Sequence, residues 1–212
     1  MMIPSKQEMI AAYEARHGKE LQKKLSAATV AVCGLGGLGS NISIALSRAG
    51  IGKLILIDFD KVDISNLHRQ QYKADQIGLP KTEALSSNLS EIAPYTVLET
   101  HCVKITEENA VDLLLNADVI CEAFDNPQAK AMLANTVLEK LPGKFYVGAS
   151  GMAGIGSTNE IKTRRLSKYF YLCGDGVSEV GKSEGLFAAR VMACAAHQAH
   201  TVIRILAGQY DV

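Results

Sequence analysis

Six consecutive residues, Gly34-Leu35-Gly36-Gly37-Leu38-Gly39, fit the pattern GxGxxG. In that pattern the first glycine makes a tight turn, the second lets a phosphate approach the backbone, and the third permits close packing of a helix on a strand. Here the pattern follows an apolar, β-branched run and opens a helical one. Asp58 then stands about 20 residues further on, where a carboxylate at the end of a second strand accepts from ribose hydroxyls. A glycine-rich structural turn is the competing reading, and the ligand is open between a dinucleotide and ATP. The segment Asp58-Phe59-Asp60, with Ser65-Asn66-Leu67-His68-Arg69-Gln70 and then Gly78-Leu79-Pro80-Lys81, narrows that choice. Asn66, Arg69 and Lys81 fall just beyond the carboxyl edge of the second strand, where open α/β sheets bind ligands. A dinucleotide pyrophosphate carries about two charges and is satisfied by a helix N-terminus, whereas ATP carries about four and gains from added cations. Arg69 and Lys81 therefore favour ATP. Arg69 offers a fork to phosphate oxygens, Lys81 a movable point charge at a helix start, and Asn66 a neutral donor.

Asp125 directly follows a fourth apolar strand, Val119 to Ala123, and so reaches the same edge across from Arg69. A carboxylate there can hold magnesium. Capping the next helix is its alternative role, which Asn126 can take instead. Five cysteines, Cys33, Cys102, Cys121, Cys173 and Cys194, contain no Cys-x-x-Cys pair, which argues against a disulfide framework and a four-cysteine zinc site. All but Cys173 sit in apolar or small-residue segments and read as structural thiols.

These side chains need a scaffold, and the chain alternates short β-branched runs with longer helical patterns, the signature of an α/β sheet. Ser5 to Leu25 reads as a helix broken near Gly18, making residues 1–28 an N-terminal helical segment. Strands are expected at Thr29–Cys33, Leu54–Ile57, Thr96–His101, Val119–Ala123 and Phe145–Ala149. Helices are expected at Ser40–Ala49, Pro80–Ala93, Thr106–Leu115 and Gln128–Leu141. Ser157 to Leu172 reads as antiparallel strands, Gly174 to Gly185 as a polar loop, and Leu186 to Leu206 as a long amphipathic helix. The expected fold is a Rossmann-like, doubly wound, mainly parallel sheet with C-terminal antiparallel strands and a long C-terminal helix. It occupies residues 1–212 as one domain.

Composition excludes several function classes. In 212 residues, 22 Lys and Arg balance 22 Asp and Glu, so no global field draws the chain to nucleic acid or anionic membrane. Met1 to Lys24 lacks the apolar core of a signal peptide, and Arg190, His197, Gln198, His200 and Arg204 interrupt the late apolar stretch. A cytoplasmic protein with neither nucleic-acid nor membrane partners is expected.

Taken together, Gly34 to Gly39, Asp58-x-Asp60, Ser65-Asn66-Leu67-x-Arg69-Gln70, Gly78-x-Pro80-Lys81 and Asp125-Asn126 resemble the ThiF/MoeB/HesA family of ubiquitin-activating-like adenylyltransferases. The resemblance runs from about Leu25 to Gly208, and the compact ThiF-like proteins of thiamine biosynthesis are the most similar. It implies a homodimer or pseudo-dimer that uses ATP and magnesium to adenylate the C-terminal glycine of a small ubiquitin-like sulfur carrier ending in Gly-Gly. On that likeness Gly34, Gly36, Gly37, Leu38 and Gly39 cradle nucleotide beside Asp60 and Gln70, and Asp58 holds the ribose. Asn66, Arg69 and Lys81 hold the phosphates and Asp125 the magnesium. Relatives often carry two Cys-x-x-Cys pairs for zinc, which this sequence lacks, so no zinc is expected. Relatives also place a cysteine in a crossover loop, where Cys173-Gly174-Asp175-Gly176-Val177 stands; acyl carriage and a structural thiol remain equal readings, since Lys168 and Lys182 are near only in sequence. Family dimers supply an N-terminal arginine to the partner's phosphates. Arg16 is the candidate, with a surface helix arginine as the alternative. Three other readings compete: a tRNA-modifying dehydratase of the same family that adenylates a nucleoside carboxylate, an NAD-dependent oxidoreductase, which leaves Arg69, Lys81 and Asp125 unexplained, and a non-catalytic nucleotide-gated binding module, against which those three residues argue for turnover.

Overall fold

The aliphatic run Thr29–Cys33 (β1) has neighbours on both sides, and its side chains alternate between two cores. Val30 and Val32 point to one face, Ala31 and Cys33 to the other. That two-sided burial is why the run is continuously apolar, as a covered parallel strand requires. In the computed structural model, which describes residues 3–179, 181 and 185–212, β1 is a central strand of a seven-stranded sheet. The others are β2 (Lys53–Ile57), β3 (Val97–His101), β4 (Val119–Glu122), β5 (Phe145–Ala149), β6 (Lys162–Arg165) and β7 (Phe170–Gly174). Their order is β3-β2-β1-β4-β5-β7-β6, parallel throughout except that β6 runs antiparallel to β7. The order reverses direction between β1 and β4, so the carboxyl ends of these two strands frame the crevice where doubly wound sheets bind ligands.

Seven helices flank the sheet among the described residues: α1 (Lys6–His17), α2 (Lys19–Ala27), α3 (Gly37–Arg48), α4 (Lys81–Ile92), α5 (Ala110–Leu114), α6 (Pro127–Lys140) and α7 (Ala188–Ala207). On one face α3, α4 and α7 bury Ile42, Leu46, Leu85, Leu89, Cys194 and Val202 against Val30, Val32, Leu54 and Leu56. On the other, α5 and α6 bury Leu114, Leu133 and Val137 against Ala31, Ile55, Ile57 and Ile120. In α7 the buried positions Val191, Cys194, Ala195, Gln198, Ala199, Val202 and Ile205 recur every three or four residues, which turns one stripe of the helix to the sheet. None of these helices is long and apolar enough to cross a membrane.

Two local departures from the sequence expectation have physical causes. The helix expected from Thr106 starts only at Ala110, because the Asn109 side chain accepts the Thr106 N–H at 2.8 Å and holds a turn there. The antiparallel strands expected over Ser157–Leu172 are present as the β6–β7 pair, and β7 also lies parallel to β5. Cys102 is exposed rather than buried, since it lies just past β3 at the rim. Lys182 lies outside the described residues.

Leu56 in β2 is fully buried against the α3 and α4 face. Leu56→Ala is expected to lower stability by about 2–5 kcal/mol, read as a fall in the denaturant midpoint with the slope unchanged.

Candidate active site

The glycine-rich turn joins β1 to α3, and two of its glycines are sterically fixed. Gly34 adopts φ +90°, and a Cβ there would stand 2.9 Å from Ala123 O. At Gly39 a Cβ would run into Gly34 O, so the first turn of α3 can fold back on the turn only without a side chain. α3 begins at Gly37, three residues before Ser40, and no side chain caps it. Its first N–H groups therefore face outward at the positive end of the helix dipole, a ready anion site at the carboxyl edge. Ser40 and Asn41, one turn in, donate back to Gly36 O and Gly37 O at 2.7 and 2.6 Å, which stiffens the entry.

Asp58, one residue past β2, is 8% exposed and ties this turn down. One carboxylate oxygen accepts the Leu35 N–H at 2.6 Å, and the other accepts the Asp60 N–H at 2.8 Å. Burial pushes its carboxyl up, opposed by the Lys81 ammonium and these two backbone donors. Each oxygen keeps a further acceptor lobe for a ribose hydroxyl. Asp60 and Lys81 turn out to be partners of each other: Lys81 Nζ donates to Asp60 Oδ2 at 2.9 Å, and Lys81 is 6% exposed. The sequence expectation of a movable cation at Lys81 is thus corrected to a buried ammonium fixed beside Asp58.

Residues 61–80 form a loop closed at its base by the Val62 N–H to Leu79 O and Gly78 N–H to Val62 O bonds, both 2.9 Å. Its tip lies against α3. Gln71 Nε2 donates to Asn41 Oδ1 at 2.7 Å, Asn41 Nδ2 to Arg69 O at 3.3 Å, and the Tyr72 hydroxyl to Leu35 O at 2.7 Å. These bonds lay the Arg69 stem over the turn, with its Cγ 3.5 Å from where a Cβ on Gly37 would be. Among the described residues the guanidinium bonds only Ser65 O at 3.1 Å and His68 Nε2 at 3.3 Å. Asn66 stays half-buried and accepts the Asp63 N–H at 3.0 Å, while Gln70 is buried with Nε2 3.8 Å from a Gly36 Cβ position. Tyr72 was not singled out from the sequence, and nothing in its local pattern marks it; its role is to brace the turn.

Asp125 follows β4 and is exposed. Asn126 caps α6 by accepting the Ala129 N–H at 2.9 Å, which leaves Asp125 without that task. Beneath it lies a group that sequence reasoning missed. Glu122 ends β4 at 2% exposure; it accepts Lys130 Nζ at 2.9 Å and the Phe124 N–H at 2.6 Å. Burial pushes its carboxyl up, opposed first by Lys130. Lys130 also donates to Ala149 O at 3.0 Å, so the pair joins the ends of β4 and β5. A lone charge in the apolar run Val119–Ala123 was the available signal.

Two candidates do not join this cluster. Cys173 is fully buried in β7 rather than sitting in a loop, with Thr163 Oγ1 at 3.5 Å and Thr201 Oγ1 at 3.9 Å, and burial pushes its thiol up. A protonated, enclosed thiol is inert, so of the two readings of this position the structure supports the structural thiol over the acyl carrier. Arg16 is exposed at the end of α1, which packs at the amino edge of the sheet: Tyr13 lies against Gly50, and the Tyr95 hydroxyl reaches Pro4 O at 2.7 Å. It is thus remote from the turn of its own chain.

Comparison with known proteins gives the family and the fold. Residues 9–212 match the ThiF family. Among curated relatives, adenylyltransferase and sulfurtransferase UBA4 of Lodderomyces elongisporus is 35% identical over 136 residues, 64% of this chain and 30% of that protein. The mosquito Aedes aegypti adenylyltransferase and sulfurtransferase MOCS3 is 36% identical over 59% of this chain and 29% of its own length. The chain thus spans about a third of the length of the curated relatives it matches. Among solved structures, E. coli tRNA N6-threonylcarbamoyladenosine dehydratase in complex with ATP superposes with a TM-score of 0.86 at 19% identity, covering 98% of each chain.

Removing one partner of a buried pair leaves an uncompensated charge, so Lys130→Ala is expected to cost about 3 kcal/mol near neutral pH. Without Lys130 the Glu122 carboxyl rises further above its unfolded value. The ionised form is then the one that burdens the fold, and the deficit shrinks as pH falls toward the unfolded pKa of about 4.3. Denaturant titrations of both proteins across that range check the sign: a deficit that grows on acidification would contradict it.

Proposed function

The chain belongs to the ThiF family, and from that premise we propose that it adenylates the C-terminal glycine of a small ubiquitin-like sulfur carrier ending in Gly-Gly. The thiamine pathway and the cytoplasm are the proposed setting. One observation carries the assignment. Among the described residues, Lys81, Lys130 and Arg190 are each within salt-bridge distance of a carboxylate, whereas Arg69 has only Ser65 O and His68 beside it and lies over the open first turn of α3. Uncompensated positive charge next to free helix N–H groups suits a triphosphate better than a dinucleotide.

The chemistry follows from that placement. A carboxylate oxygen of the carrier attacks the α-phosphorus of ATP, and pyrophosphate leaves in line, so no side-chain nucleophile is required. Arg69 and the α3 N-terminus neutralise charge that grows on the leaving oxygens, Asp58 orients the ribose, and Asn66 and Gln70 line the approach. Asp125 is the residue that fits magnesium, being an exposed carboxylate at the switch point with no capping duty; a bound cation there would withdraw charge from phosphate oxygens. A second copy of the chain would supply Arg16 in trans, since that residue lies far from its own turn.

A second reading has an observation of its own. The full-length superposition on a tRNA-modifying dehydratase favours a nucleoside carboxylate as the group adenylated. ATP–pyrophosphate exchange separates the two, because it reports reversible acyl adenylation with either a Gly-Gly carrier or tRNA as the required addition.

Exchange that depends on the carrier is expected. Arg69→Ala and Asp125→Ala should each cut it by at least about 100-fold, since one lost charge-stabilising contact is typically about 3–4 kcal/mol; unchanged exchange in both variants would remove the assignment. Mixing Arg16→Ala with Arg69→Ala protein should restore one working site per heterodimer, and mixtures no more active than either parent would place Arg16 outside the site.

A further inference from the structure

We propose that the buried ion pair between Arg190 and Asp175 is a positioning device: it locks the loops leaving β5 and β7 against the first turn of α7 and so shapes the mouth by which the carboxylate substrate reaches the nucleotide. The proposal rests on the adenylation reading.

Arg190 and Asp175 have side chains 5% and 4% exposed, and Arg190 Nη2 donates to Asp175 Oδ2 at 2.6 Å. Nη1 of the same guanidinium donates to Gly156 O and, at 2.7 Å, to Ser157 O. One fork on α7 therefore grips the loop after β5 with one arm and the segment after β7 with the other. The far side of Asp175 is equally engaged, since its Oδ1 accepts the Val177 and Ser178 N–H groups at 2.8 and 2.9 Å. The two segments also bond each other: the Asp175 N–H reaches Gly151 O and the Gly176 N–H reaches Ser150 O, both at 3.0 Å. Arg164 of β6 closes the set by donating to Asp175 O at 2.8 Å.

Apolar burial anchors these segments only at Met152 and Ala153, short of the residues that Arg190 grips. Ile155 and Val177, their bulky aliphatic residues, are 86% and 83% exposed. Fixed geometry here comes from charge and hydrogen bonds, and a buried pair of this kind contributes a specified conformation more than net stability. That conformation is set relative to the nucleotide turn. Val191 follows Arg190 directly, and its Cγ1 stands 3.0 Å from where a Cβ on Gly37 would be. The same helical turn thus touches the phosphate-facing glycines and grips the two loops. A reacting carboxylate held within a fraction of an ångström needs walls that are rigid relative to the phosphate.

The test uses the full chain carrying Asp175→Asn, Arg190→Gln or Arg190→Lys. The first two remove the pair, while Arg190→Lys keeps the charge and loses the fork. Hydrogen exchange of peptides covering residues 150–157 and 174–178 is expected to quicken at least about 10-fold in Asp175→Asn and Arg190→Gln, with partial rescue in Arg190→Lys. ATP affinity, measured by calorimetry with ATP alone, should stay within about 2-fold of wild type, while kcat/KM for the Gly-Gly carrier falls about 10-fold or more, mainly through KM. Unchanged loop exchange would overturn the lock. Loosened loops with an unaltered carrier KM, or with ATP affinity falling in step, would reduce the pair to a structural contact and overturn its positioning role. Failure of the adenylation reading shows separately, as wild-type protein without carrier-dependent pyrophosphate exchange. A lock seen by hydrogen exchange in that case would overturn the assignment of the pair to a substrate mouth.

Discussion

The Asp58 carboxylate accepts the Leu35 N–H at 2.6 Å in a place that water barely reaches. That bond ties the end of β2 to the turn after β1, and much of the site follows from it. With the turn held, α3 starts at Gly37 and aims its free N–H groups across the switch point. With the other Asp58 oxygen on the Asp60 N–H, the chain leaving β2 is directed so that Asp60 meets Lys81. The Tyr72 hydroxyl on Leu35 O then returns the 61–80 loop to the same turn, and Arg69 arrives over Gly37. A hydrogen bond to a charged acceptor in such surroundings is stronger than one in water, and the desolvation that raises the Asp58 carboxyl makes the partners obligatory.

The charges at this edge form a pattern with a physical sense. The chain is neutral overall, and at the carboxyl edge Glu122 meets Lys130, Asp60 meets Lys81 and Asp175 meets Arg190. Each of these pairs joins two segments that leave different elements, so charge serves as connection where apolar contact is scarce. Among the described residues, Arg69 and Asp125 stand outside that pairing, one over the first turn of α3 and the other just past β4. A cation and an anion so placed would suit a ligand that carries both negative charge and a metal ion, as the proposed nucleotide would.

Much of the site is a local matter and was legible in the residues. GxGxxG needs no long-range information, because the close approach of Gly39 to Gly34 O is set within six residues. The central strands β1, β2, β4 and β5 were readable because they are mainly apolar and covered on both faces, and Asn126 announced itself as a cap by standing before Pro127. Glu122 and Tyr72 were less legible. Their importance comes from partners 8 and 37 positions away, on elements whose mutual placement the pattern does not encode.

By itself the sequence determined the α/β alternation, the glycine-rich turn between β1 and α3 and the family to which the chain belongs, since these depend on residue types at short, fixed spacings. Only the tertiary structure decided that Cys173 is enclosed within the sheet, that Lys81 is bound to Asp60, that Arg16 faces away from its own turn, and that Arg190 reaches Asp175. The reason is that burial and pairing are properties of surfaces brought together across the sheet, and a side chain's titration, reach and freedom follow from those surfaces rather than from its neighbours in the chain.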